Sequence, residues 1–159
     1  MQISFLWIGK TKNSAIKSLA SDFLARVRRL APCGIIEVRD ISKRSSLSAA
    51  GLIAAEGQEI SRHIPTGGKI VALDETGTQF ASRDFARWLE TEQIRGTKAI
   101  TFVIGGYEGL SSAVTDRSNL TLSLGKMTWT HEMCRVLILE QVYRALCIIR
   151  KLPYHRGGD

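Results

Sequence analysis

The sequence predicts a single α/β domain, residues 1–159, in which helices cover both faces of a parallel-rich sheet. Short apolar segments alternate five times with segments of helical periodicity, and this β-α repeat is typical of parallel sheets. Residues 98–104 form a nearly unbroken apolar run, as expected for a central strand buried on both faces. A length of 159 residues suits one domain with its own core.

Apolar runs bounded by polar or glycine-containing turns predict the strands. The third run is followed by the polar segment 74–77, and the fourth is followed at once by Gly105 and Gly106. The predicted strands span residues 2–8, 35–41, 69–73, 98–104 and 120–124.

Helical periodicity and capping residues predict the helices. Asn13 or Ser14 can cap the first helix, and Pro32 ends it. Ser82 is the expected cap of the third helix, and Gly96 closes it. The predicted helices run from the first cap to Pro32 and over residues 47–64, 82–94, 111–117 and 131–150.

The last predicted helix has apolar side chains around most of its circumference. An apolar face wider than a surface helix needs indicates burial on two sides. One side would pack on the sheet, and we expect the other to contact a second subunit in a homodimer. The alternative is a helix buried wholly within one chain.

The chain is basic, with 22 Lys and Arg against 15 Asp and Glu and a formal net charge of +7. Nine basic residues against three acidic ones lie between Lys10 and Arg44, in a segment predicted to fold. Lys and Arg bind nucleic acid by releasing the counterions of its phosphates. A polyanion such as nucleic acid is therefore a candidate partner.

Cysteine usage and apolar run lengths predict a cytoplasmic protein. Cys33, Cys134 and Cys147 are odd in number and lack paired spacing, which favours a reducing compartment. The first ten residues have no basic segment and too short an apolar run for a signal peptide. No apolar stretch approaches the roughly 20 residues of a membrane span.

Several nucleotide and metal sites are excluded by spacing. Gly9-Lys10-Thr11 resembles the end of a phosphate-binding P-loop, but the required earlier glycine is replaced by Ser4. The first turn also lacks the glycine pattern of dinucleotide-binding proteins. The histidines lie far apart, so no metal site is expected. They are His63, His131 and His155.

Three segments should meet at the carboxyl edge of the sheet, where α/β proteins bind ligands. Leu73 ends the third strand, Gly105 and Gly106 follow the fourth, and residues 124–129 follow the fifth. Glycine backbone, one apolar side chain and a loop of mixed polarity suit an adenosine-like ligand, which needs a flat apolar slot and a few hydrogen bonds.

Several segments together resemble the ribosomal RNA large subunit methyltransferase H family of the SPOUT superfamily, over essentially the whole chain. The resemblance implies a homodimer with a C-terminal trefoil knot that binds S-adenosylmethionine. It also implies methylation of N3 of a pseudouridine in 23S rRNA of assembled ribosomes. The segments are Ile104 to Leu110, Leu122 to Thr128, His131 to Val136, Glu140 to Ala145, and Pro153 to Arg156.

By this resemblance, the cofactor-binding residues lie at the predicted carboxyl edge. They are Leu73, Gly105, Gly106, Leu124, Gly125, Lys126, Met127, Thr128 and Trp129. The sequence departs from the family pattern in having Thr130 where a proline usually precedes His131, and Trp129 where a smaller apolar residue is common. Because proline restricts the residue before it, we expect a less rigid or differently shaped cofactor loop.

The candidate catalytic residues are Tyr154, His155, Arg156 and His131. His155 is the preferred group for proton transfer, because histidine titrates near neutral pH. Tyr154 and Arg156 suit stacking on an unpaired base and contact with phosphate. His131 is expected to shape the start of the last helix rather than to transfer the proton.

Arg135 and Arg144 should point to opposite sides of the last helix. Glu140 lies four residues before Arg144 and can pair with it, which leaves the other arginine for a subunit interface or RNA. Two other functions remain open: a non-catalytic ribosome-binding or assembly factor, and a related knotted methyltransferase acting on transfer RNA.

Overall fold

The computed structural model describes residues 1–42 and 46–154, and within them an all-parallel sheet has the predicted strands. β2 begins two residues earlier than predicted, at Cys33, and β3 continues six residues beyond Leu73. The extension pairs with β5 across an irregularity between Leu73 and Thr78. The strands are β1 (Gln2–Ile8), β2 (Cys33–Val38), β3 (Lys69–Gln79), β4 (Ala99–Ile104) and β5 (Leu120–Ser123).

The helices also follow the predicted order, with one correction at a cap. Asn13 accepts hydrogen bonds from the N–H groups of Ala15 and Ile16, as predicted. Ser82 is not a cap, because Ala81 holds that position and the Ser82 hydroxyl donates to Gln141 Oε1 instead, at 2.9 Å. The helices are α1 (Ser14–Arg28), α2 (Ala49–His63), α3 (Ser82–Ile94), α4 (Ser112–Thr115) and α5 (His131–Ile149).

The strand order β2-β1-β4-β3-β5 places β1, β4 and β3 in the interior of the sheet. Phe102 in β4 pairs in register with Phe5 of β1 and Val71 of β3. All three side chains are fully buried. A strand flanked on both sides and covered on both faces has no solvated side, which explains its unbroken apolar sequence.

Two apolar cores flank the sheet, as the prediction of helices on both faces requires. Alternate residues of β1 point to opposite sides: Phe5 packs with α1, α3 and α5, whereas Leu6 packs with α2 and α4. The period of two in strand side-chain direction produces this division.

α5 lies beside both α1 and α3, which buries much of its circumference within one chain. Ile138, Leu139 and Val142 are fully buried. Met133 and Leu137 are only partly covered. The wide apolar face is therefore explained in part by α1 and α3, and a partly exposed stripe remains.

Candidate functional site

Strand register brings the ends of β4 and β5 to either side of Leu73, a residue within β3, at the carboxyl edge of the sheet. Leu73 pairs with Ile104 of β4 and with Leu122 of β5. Gly105 and the segment after Ser123 therefore leave the sheet on the two sides of β3. The three segments predicted to converge do lie along this edge.

A cavity of about 250 Å³ opens between this edge and the helices α3 and α5. Its walls are mostly apolar, with polar groups from Ser82, Gln141 and the backbone of Gly125. Such a balance is common in small-molecule sites. The lining residues are Gln79, Phe80, Ser82, Phe85, Leu122, Ser123, Leu124, Gly125, Trp129, Leu137, Ile138 and Gln141.

The predicted cofactor residues divide into two groups around the cavity. Leu124, Gly125 and Trp129 line it. The remaining six lie outside its lining: Leu73, Gly105, Gly106, Lys126, Met127 and Thr128. Met127 is 73% exposed, so its side chain faces solvent rather than the cavity.

Sequence reasoning missed the wall contributed by the start of α3. Gln79, Phe80 and Phe85 line the cavity but lie between the third and fourth predicted strands, outside the segments predicted to bind the cofactor. Their contribution depends on the packing of α3 beside α5. The available signal was an aromatic residue, Phe80, between a polar strand end and a helix start.

Hydrogen bonds hold the loop of residues 124–130 at several points. The Ser123 hydroxyl donates to Gly125 O at 2.9 Å, and Gly125 has φ of 140°, which favours glycine. The Thr128 hydroxyl donates to Glu75 Oε2 at 2.7 Å. Thr130 caps α5 by accepting from the Met133 N–H at 3.3 Å. Proline at this position could not supply that side-chain oxygen. Thr130 therefore provides a helix cap where the family usually has proline.

A chain of hydrogen bonds connects the cavity to the C-terminal segment. Gln141, which lines the cavity, donates to Glu140 Oε2 at 2.7 Å, and Tyr154 donates to Glu140 Oε1 at 3.2 Å. Arg144 donates to the same carboxylate at 2.9 and 2.7 Å, which confirms the predicted i, i+4 pair. Burial, more than the nearby Glu140, raises the pKa of Tyr154. Tyr154 is thus held against α5 as a neutral donor.

Arg135 is buried within the chain, contrary to the expectation that it might serve an interface or RNA. It is 1% exposed, and its guanidinium lies 5.1 Å from the Trp7 ring centroid. It donates to Ile8 O at 2.6 Å and to the Thr11 hydroxyl at 2.8 Å. Arg135 therefore fixes the β1–α1 loop to the start of α5.

Replacing Arg135 with glutamine should destabilise the protein by about 1–3 kcal/mol, because Ile8 O and the Thr11 hydroxyl lose a buried donor. Urea unfolding followed by circular dichroism measures this change. Arg87→Gln is the matched control, since Arg87 is 77% exposed and its pair with Asp84 should contribute little. Equal stability of the two variants would contradict the structural role of Arg135.

His131 and Glu132 lie at the start of α5 beside the β1–α1 loop. Glu132 accepts from the N–H groups of Lys12 and Asn13 at 2.7 and 3.2 Å, and the Lys12 bond is the main cause of its lowered pKa. Burial, and next the charge of Arg135, lowers the pKa of His131. His131 is therefore kept neutral near physiological pH. The other candidate catalytic residues, His155 and Arg156, lie outside the described residues.

The glycine turn after β4 rests on a buried carboxyl group. A Cβ at Gly105 would lie 2.4 Å from Gly109 O, and one at Gly106 would lie 2.5 Å from Glu56 Oε2. Glu56 is 3% exposed, and its Oε2 has no hydrogen-bond partner among the described residues. Burial, followed by the charges of Asp40 and Glu108, raises the pKa of Glu56.

The raised pKa of Glu56 predicts a pH-dependent stability. Stability from neutral Glu56 is complete below its unfolded pKa of about 4.3 and is lost as pH rises through the higher folded pKa. Glu56→Gln should therefore flatten the decline of unfolding free energy as the pH rises above about 4.3, as measured by urea titration. The exposed residue Glu90 provides the control Glu90→Gln, which should leave the decline intact. An unchanged decline in the Glu56→Gln variant would show that the pH dependence does not come from Glu56.

Within residues 1–42 and 46–154, no helix is long and apolar enough to cross a membrane. In the same part of the chain, no group of three or more His, Cys, Asp or Glu side chains could hold a metal ion.

Comparison with known sequences identifies the family. A sequence model described as "Predicted SPOUT methyltransferase" matches residues 1–155. Ribosomal RNA large subunit methyltransferase H of Geobacter sp. (strain M21) is 37% identical over 155 residues, which cover 98% of this chain and 99% of that protein. The protein of the same name from Clostridium acetobutylicum is also 37% identical, over 98% of this chain and 100% of its own.

Solved structures with lower sequence identity share the fold. A methylase family protein from Haemophilus influenzae, described as probable, aligns with a TM-score of 0.53 at 14% identity, covering 96% of this chain and 69% of its own. A Legionella pneumophila protein solved with the bound cofactor SAM aligns with a TM-score of 0.53 at 10% identity, covering 91% and 66%. The full-length sequence match is the decisive finding: the chain belongs to the SPOUT methyltransferase family.

Proposed function

We propose that this protein is an S-adenosylmethionine-dependent methyltransferase that methylates N3 of a pseudouridine in 23S rRNA, on assembled ribosomes in the cytoplasm. The observation that carries the proposal is the cavity at the carboxyl edge, bordered by Leu124, Gly125 and Trp129. Relatives named as large-subunit rRNA methyltransferases, 37% identical over nearly the whole chain, support the reaction and the RNA class.

The chemistry of the cavity walls fits a nucleoside. Phe80, Leu124 and Ile138 offer apolar surface for a flat base, and Ser82 and Gln141 offer polar groups for its edge or sugar. When bound, S-adenosylmethionine supplies an electrophilic methyl group on a sulfonium. Gly125 permits close backbone approach, because it has no side chain and adopts a φ of 140°.

The remaining requirement is to orient the uracil ring and remove the N3 proton. We assign proton removal to His155, stacking on the target base to Tyr154 and phosphate contact to Arg156. Glu140 and Arg144 hold Tyr154 in place by hydrogen bonding and by the position of Arg144 5.0 Å from its ring centroid. Orientation of reacting groups can supply roughly 7–11 kcal/mol in favourable cases. His131, held neutral, is the second candidate for the proton acceptor.

The proposed active form is a homodimer, and the proposed chain path includes a C-terminal trefoil knot. The partly exposed apolar stripe of α5 supports the dimer, since Met133 and Leu137 are only partly covered and Leu137 lines the cavity together with Trp129. Trp129 is 41% exposed although it lines the cavity. A second copy on this stripe would bury apolar area that is otherwise in contact with water.

Tritium transfer from S-adenosylmethionine to 70S ribosomes, followed by mapping of the labelled base, tests the function. We expect label on one pseudouridine of 23S rRNA. Binding to ribosomes without cofactor binding in calorimetry would favour a non-catalytic assembly factor. Label on transfer RNA with none on 70S particles would favour a related knotted transfer RNA methyltransferase.

A further inference from the structure

Four exposed cations lie where the ends of two helices, α1 and α5, meet. Arg28 and Arg29 end α1, and Arg150 and Lys151 follow α5. The guanidinium of Arg150 donates to Leu30 O, and Arg28 Nε donates to Cys33 O at 3.3 Å, so both side chains lie on the α1–β2 connection. We call these four residues the basic end.

Among the described residues, the basic end carries positive charge that is not paired with a carboxylate. Within the described ranges, none of its four residues has a carboxylate oxygen within 4 Å. Several arginines elsewhere are paired with carboxylates: Arg26 with Asp22, Arg62 with Glu59, Arg87 with Asp84, Arg95 with Glu92 and Arg144 with Glu140.

Helix C-termini favour cations, and this effect accounts for basic residues at each helix end separately. It does not account for Arg28 and Arg150, from two different helices, both donating to carbonyl oxygens of residues 30–33. Their mutual repulsion is unfavourable in the free protein and becomes favourable when a polyanion binds.

The basic end lies close enough to the cavity for one RNA to contact both. Arg150 follows the cavity residue Gln141 by nine positions, or about 14 Å along α5 at 1.5 Å per residue. Between them, Tyr143 and Tyr154 pack with ring centroids 4.7 Å apart. Base stacking and phosphate binding commonly occur side by side in proteins that hold RNA.

We propose that the basic end binds the phosphate backbone of the RNA substrate beside the nucleotide that enters the cavity. This inference rests on the proposed function, because it takes the substrate to be RNA. Phosphate contacts position a nucleic acid without reading its sequence, so the basic end would set the register of the target base.

Ribosome binding measured at several salt concentrations tests the inference. The full-length Arg29→Gln/Lys151→Asn variant removes two charges whose side chains make no described hydrogen bond, and Asn suits the positive φ of 57° at residue 151. Co-sedimentation with 70S ribosomes between 50 and 200 mM KCl should give a slope of log affinity against log salt lower in magnitude by roughly 1.4–1.8. The wild type should then lose about tenfold more affinity than the variant over this range.

Arg62→Gln/Arg117→Gln is the matched control, because it removes the same charge from the layer of α2 and α4 on the other face of the sheet. An equal slope change in both variants, or none in either, would overturn the inference. Loss of binding to anionic phospholipid vesicles with ribosome binding intact would assign the basic end to a membrane and would also overturn the inference.

Tritium transfer by the wild type is measured separately. A slope change without methyl transfer would support RNA binding by the basic end and refute the proposed reaction. Methyl transfer without a slope change would support the reaction and refute RNA binding by the basic end.

Discussion

The Gly105→Ala variant is expected to lose S-adenosylmethionine affinity by roughly 5- to 150-fold, or about 1–3 kcal/mol, because it would displace the turn that the family resemblance assigns to the cofactor site. The added Cβ would lie 2.4 Å from Gly109 O and 2.5 Å from Gly109 C. Both are backbone atoms, so the whole turn after β4 would have to move. Calorimetric titration with the cofactor measures the change.

Gly34→Ala is the matched control, because a Cβ at Gly34 meets nothing within 4 Å. Circular dichroism shows whether each variant remains folded. Gly106→Ala should have a smaller effect, since its added Cβ meets the end of the Glu56 side chain, which can rotate away. A folded Gly105→Ala protein with wild-type affinity would exclude this turn from the cofactor site.

Removal of residues 154–159 is expected to abolish methyl transfer while leaving cofactor binding measurable. The deletion removes the proposed proton acceptor His155 and the stacking residue Tyr154, and general acid–base groups typically contribute 10²–10⁴-fold in rate. Tyr154 contacts α5 at Glu140 and Tyr143 and does not line the cavity. Single-turnover tritium transfer and calorimetry separate the two effects.

Deletion of residues 157–159 alone is the control, since it keeps Tyr154, His155 and Arg156 and should keep activity. His155→Ala then isolates the proton acceptor. Full activity of the His155→Ala variant would leave His131 as the candidate base. Loss of cofactor affinity on deletion of residues 154–159 would show that the C-terminal segment belongs to the cofactor site.

The fold could be predicted largely from sequence because most elements carry a local signal. In α1, for example, the apolar stripe and the Asn13 cap lie within a few residues of one another. The extension of β3 lacks such a signal: residues 74–79 are polar, and Asp74 accepts from Thr76 as in an isolated turn. Only pairing with β5, Thr78 with Leu122 and Gln79 with Ser123, makes this segment a strand.

The candidate site was predictable only where backbone topology determines it. The carboxyl ends of parallel strands meet at one edge, so the positions of Leu73, Gly105 and Leu124 followed from the parallel direction of the strands. The roles of Arg135 and Gln141 depend on partners 127 and 59 residues away, Ile8 and Ser82, and no local pattern encodes such contacts.

We propose that the cavity at the carboxyl edge holds S-adenosylmethionine. A crystal structure of the protein with this cofactor would show where it binds. We predict that the nucleoside lies between Leu124 and Ile138 and contacts the backbone of Gly125. A cofactor bound away from residues 124–129, with this cavity empty, would contradict the account.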